Sequence, residues 1–141
     1  MFTELLSEIG IVVAYAAIGL VLMLAGYATM DAITPGRMSD LLWRDRSRNA
    51  AILVSSNLLA VAIIVIAAIV TSADALVPGL ITTAVFGVLG IVLMALSFFL
   101  VDALTPGALG EVVRMDEIFP AIWVNACAHV GIAGIMAAAL V

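Results

Sequence analysis

The chain has no lysine, one histidine and one cysteine, and only 11% of its 141 residues are charged. A lone cysteine forms no internal disulfide. A lone histidine beside it cannot assemble a metal site: Cys127 and His129 are two positions apart, about 200° around a helix, and cannot share an ion. No glycine-rich phosphate loop and no Ser/His/Asp arrangement is present. The net charge of −5 argues against nucleic-acid binding. No cofactor, metal or catalytic residue is expected, and the segments between the apolar runs are too short for a catalytic domain, so an enzyme is not expected either.

What is abundant is apolar. Hydrophobic residues make up 66% of the chain and its mean hydropathy is +1.34, far beyond the roughly 45–50% of a soluble domain. A globule of 14.6 kDa could not cover that much apolar surface, and a disordered chain needs the opposite composition. The charges leave four uncharged runs: Ile9–Met30, Asn49–Ala73, Ala75–Val101 and Ile118–Val141, of 22, 25, 27 and 24 residues. Each exceeds the ~20 residues that cross a hydrocarbon core as a helix. In lipid such runs must be helical, because the backbone finds no outside partner. The expected fold is an all-α integral membrane protein, a single domain over 1–141 with four transmembrane helices. Glu4 and Glu8 precede the first run, and its length exceeds that of a secretion signal, so it is expected to stay as the first helix.

Arginine placement predicts orientation. Arg37, Arg44, Arg46 and Arg48 lie between the first two runs and Arg114 between the last two. The positive-inside rule puts both loops in the cytoplasm and both termini outside. Tyr27 and Trp43 then fall at the cytoplasmic interface.

Sliding the sequence by 71 residues aligns Gly19–Gly36 with Gly90–Gly107, nine of the 18 positions being identical, including Asp-Ala-x-Thr-Pro-Gly at 31–36 and 102–107. This predicts two parallel helix–loop–helix repeats, 9–71 and 78–141, related by an axis along the membrane normal. The repeated unit resembles the YjfL-type bacterial inner-membrane family, the domain of unknown function numbered three-fifty, over about residues 10–140. The resemblance implies a four-helix protein of the bacterial plasma membrane and no catalytic residues. One departure from the family pattern concerns the helix starts: Asn49-Ala-Ala in the first copy faces Pro120-Ala-Ile in the second.

Five residues are candidates for function. Asp31 and Asp102 sit at helix C-termini, against the helix dipole, just ahead of the prolines and glycines that end each helix. Either they bind loop amides, the nearby Thr34 or Thr105, or an arginine, or they form a paired cation site. Asn125 and His129 share one face of the last helix, and Asn57 lies at similar depth, about 12–14 Å beyond its helix start. The expectation is a buried cluster in which a neutral His129 bonds Asn57 or Asn125; the alternative is a proton or solute relay. Ser55, Ser56, Thr82 and Thr83 can bond back to their own helices. Cys127, Gly131, Gly134 and Ala138 form a small-residue stripe, read as a packing seam. Besides the lipid bilayer, the expected partners are further copies of the chain or other membrane subunits, and a cytoplasmic protein at the loops. The leading functional expectation is a non-enzymatic membrane subunit or adaptor, with a small oligomeric channel or transporter as the alternative.

Overall fold

Uncharged runs that satisfy their own backbone hydrogen bonds become long helices, and four are present in the computed structural model, which describes residues 2–72, 75–104 and 109–141. They are α1 (Phe2–Ile33), α3 (Arg48–Val70), α4 (Leu76–Leu104) and α6 (Pro120–Leu140), and each is long and apolar enough to cross a membrane. Two short helices, α2 (Met38–Trp43) and α5 (Leu109–Val112), lie in the loops that follow α1 and α4. The described residues contain no strand. α1, with 32 residues, spans about 48 Å, and α4, with 29, about 43 Å. Both exceed a ~30 Å hydrocarbon core, so they tilt or project beyond it. α1 also starts earlier than its uncharged run, taking Glu4 and Glu8 into its first turns.

α1 ends where the sequence requires it to: the helix stops at Ile33, ahead of Pro35, and Gly36 takes φ +101° to turn the chain. The matching Pro106 and Gly107, and Thr105 with them, fall outside the described residues. α3 has a conventional start, with the Ser47 hydroxyl accepting a hydrogen bond from the Ala50 amide at 3.1 Å. α6 opens with Pro120, whose missing N–H costs nothing at that position.

α3 is the centre of the bundle and packs against α1, α4 and α6. Glycines let the backbones close up. A Cβ on Gly26 of α1 would lie 2.9 Å from Val61, one on Gly87 of α4 would overlap Leu22, and one on Gly90 would overlap Ile64 of α3. Gly87 and Gly90 are therefore packing positions. The two halves are not packed alike: Gly19 and Gly90, equivalent under the 71-residue offset, both face α3, through Val65 and Ile64. Two apolar clusters fill the interior. One, around Met30, Leu53, Phe98, Val113 and Ile122, lies toward the loops; the other, around Leu22, Val61, Ile64, Met94 and Ala133, lies beyond it. At the opposite end Tyr15 Oη and Ser72 Oγ, 2.9 Å apart, tie α1 to the end of α3.

Candidate functional site

Polar side chains gather in two places, the loop end and mid-membrane. At the loop end the organising residue is Asn49, in the first turn of α3 and fully buried. Its Nδ2 donates its two protons to the carbonyls of Val112 and Glu117 (2.9 Å each), sharing one of them with that of Met115 (3.2 Å), while its Oδ1 accepts from the Phe119 amide (3.2 Å). One side chain thus bonds four backbone groups across the second loop, of which the Val112 carbonyl also accepts from the Met115 amide at 3.1 Å. Beside it Ser47 Oγ donates to the Val113 carbonyl at 2.5 Å. The first loop is fastened differently. Asp31, half-buried on the last turn of α1, accepts from the Met38 amide at 2.5 Å, satisfying an orphan donor at the start of α2. That amide answers its position against the α1 dipole. Thr34 is not its partner: the Thr34 hydroxyl is buried and without a hydrogen bond among the described residues. The two loops also interlock. The Arg114 guanidinium lies over Gly36, where a Cβ would come 2.7 Å from Nη2, and Pro35 fills the space a Cβ on Gly110 would need. Asp102 lies half-buried on the last turn of α4.

Charges cover this end. Arg37, Arg44, Arg46, Arg48 and Arg114 are exposed, as are Glu111, Asp116 and Glu117. Arg44 meets Asp40 at 3.5 Å on the surface, a pair worth little. Trp43 is 83% exposed beside them.

At mid-membrane, Asn57, Asn125 and His129 are all buried, as the sequence places them, but they do not bond one another. The partner of His129 is Ser56: Nδ1 lies 3.2 Å from its hydroxyl, which itself donates to the Leu53 carbonyl at 2.8 Å. With its one proton committed, the Ser56 hydroxyl accepts from Nδ1–H, leaving Nε2 as an acceptor. This corrects the expected bond from His129 to Asn57 or Asn125. The reason is register. Ser56 is the α3 residue that faces α6, whereas Asn57, one position on, turns to Gly26 of α1, where a Cβ would lie 3.3 Å from its Nδ2. Among the described residues, four side-chain atoms here are buried without a partner: Asn57 Nδ2, Asn125 Nδ2 and Oδ1, and His129 Nε2. Thr82 and Thr83 bond back to the Pro78 and Gly79 carbonyls at 2.9 Å each. Among the described residues, no group of three His, Cys, Asp or Glu side chains could hold a metal ion.

The small-residue stripe of α6 lies on the outside of the bundle. Cys127, Gly131, Gly134 and Ala138 are all exposed, and a Cβ on either glycine would meet nothing within 4 Å. At its two glycines the stripe meets no helix among the described residues.

The family model described as Domain of Unknown Function (DUF350) covers residues 4–140. The chain belongs to the DUF350 family. Among its relatives is a protein named UPF0719 transmembrane protein from Mycolicibacterium paratuberculosis, 30% identical over 128 residues, which cover 91% of this chain and 85% of the relative. UPF0719 transmembrane proteins of Mycobacterium bovis and Mycobacterium tuberculosis are 33% identical over 138 residues, 98% of this chain and 91% of theirs. No solved structure matches. This DUF350 chain is thus a multi-pass transmembrane protein. Asn49 was legible only as the helix-start departure from Pro120; nothing in the sequence pointed to the loop it holds.

Proposed function

We propose that this DUF350 protein is a non-enzymatic subunit of the bacterial plasma membrane, an adaptor whose loop end docks a partner protein. In this reading both loops are cytoplasmic, both termini lie outside, and two duplicated helix–loop–helix units build the bundle. The observation that carries it is the Asn49 lock. Contacts of one buried side chain with four backbone groups, with the hydrogen bonds of Ser47 and Asp31, fix the backbone of both loops before anything binds. Preorganisation of this kind reduces the ordering cost of association. The face so held presents exposed arginines, carboxylates and Trp43, side-chain types suited to protein recognition. Purification in mild detergent, followed by mass spectrometry, tests it: a foreign protein should be retained by the wild type and lost on Asn49→Ala. Recovery of the chain alone from both would overturn the adaptor.

A second reading, a small proton-linked transporter, draws on the unpaired buried atoms of Asn57, Asn125 and His129, since polar groups inside a membrane often mark a pathway. Its test is flux in proteoliposomes. Transport of protons or cations above empty vesicles, abolished by His129→Leu in a folded protein, would favour it; no flux in the wild type would remove it.

A further inference from the structure

α3 and α6 run side by side from the loop end, joined by the Asn49 lock and by Ser56 with His129, and on their outer side they leave a furrow of about 730 Å³. The α3 wall carries Ala51, Ser55 and Leu59, and the α6 wall Trp123, Cys127 and Gly131. Nothing among the described residues accounts for the small size of Gly131 on the α6 wall. Gly26, Gly87 and Gly90 are small because a neighbouring helix requires it, whereas Gly131 and Gly134 face open space. Ser55 is exposed in this furrow and, unlike Ser56, Thr82 and Thr83, makes no hydrogen bond to its own helix among the described residues.

At the loop end the two walls are entered by segments of opposite charge, brought together by the Asn49 bond to the Glu117 carbonyl, with Arg48 one turn before Ala51 and Ile52 of the α3 wall. Arg48 opens α3, while Asp116 and Glu117 stand just before α6; all are exposed, and none has an ion-pair partner among the described residues. A furrow that is positive on one wall and negative on the other is complementary to itself after a half-turn about its length. The half-turn sets α3 of each copy against α6 of the other, so that Arg48 meets Glu117 twice, as an isologous interface requires. The furrow lies along the helices, so the same axis runs along the membrane normal and keeps both copies in one orientation. A lipid chain gains nothing from the paired charges.

We propose that the α3–α6 furrow is a twofold interface for a second copy of this chain, closed by small-residue helix packing and by reciprocal Arg48–Glu117 pairs. The proposal is independent of whether the loop end docks a further protein. It is tested by energy transfer between donor- and acceptor-labelled Thr3→Cys chains, in a Cys127→Ser background, diluted in phosphatidylethanolamine/phosphatidylglycerol vesicles. The unsubstituted furrow should give dimers. Gly131→Leu, which fills the furrow without meeting its own chain, should weaken association at least about tenfold, as should Arg48→Glu through like-charge contact. Adding Glu117→Arg to Arg48→Glu should restore association, and Gly10→Leu, an open site on α1, should leave it unchanged. A monomer at every dilution, or a dimer indifferent to both Gly131→Leu and the charge reversal, would overturn the proposal, as would native mass spectrometry showing a monomer with lipid held in the furrow.

Discussion

Removing the Asn49 side chain takes a partner from the Met115 and Glu117 carbonyls and the Phe119 amide, while the Val112 carbonyl keeps the Met115 amide at 3.1 Å, and a buried unsatisfied group costs about 1–3 kcal/mol. Part of that loop can recover bonds to water, so Asn49→Ala should destabilise the protein by about 2–4 kcal/mol. Thermal unfolding in detergent measures the loss. Tryptic cleavage after Arg114, in the segment that Asn49 holds, should quicken at the same time; an unchanged cleavage rate would mean the loop is ordered by something else. Asn125 predicts the opposite sign. Both atoms of its amide are buried without partners, so Asn125→Leu removes two unpaired groups of similar volume and should leave the melting temperature unchanged or higher. A marked loss would show that the amide is bonded in the membrane. At this scale the sequence was partly legible. Periodicity and depth placed Asn57, Asn125 and His129 inside the bundle, but the bonding of His129 to Ser56 depends on the rotation of α3, and a one-residue step decides which of two neighbours faces α6.

Elements were more legible than contacts, because their limits follow from local chemistry. Charge spacing located all four spans, and Pro35 with Gly36 marked the end of α1. The role of Asn49 was hidden because its partners lie 63 to 70 residues away. The small-residue stripe of α6 was legible as a seam but not as an outward one, since sequence spacing does not say which neighbour a face meets. The contrast between glycines is testable within the helices. Gly26→Leu would force a side chain into Val61 and Asn57 across the α1–α3 contact and should cost about 1–3 kcal/mol. Gly131→Leu on the open face of α6 should leave the thermal stability of the monomer within about 0.5 kcal/mol of wild type. Equal losses at the two sites would contradict the packing described.

The whole molecule is a bundle whose polar interactions concentrate at one end, where the backbone is irregular and the arginines collect. In the orientation we propose, the positive-inside rule puts that end in the cytoplasm. Single cysteines at Ser39 and Ala108 in a Cys127→Ser background should therefore resist a membrane-impermeant thiol reagent in intact cells, while one at Thr3 should react; the reverse pattern would invert the orientation. The central claim is that the Asn49-held loop end is a docking face. Its most direct test is a photo-cross-linking amino acid placed in living cells at Met115, an exposed loop position whose carbonyl Asn49 holds. The account predicts a cross-link to one foreign protein, lost on Asn49→Ala and kept on Asn125→Leu. Cross-links to lipid or to the chain itself alone, the same with and without the Asn49 side chain, would contradict it.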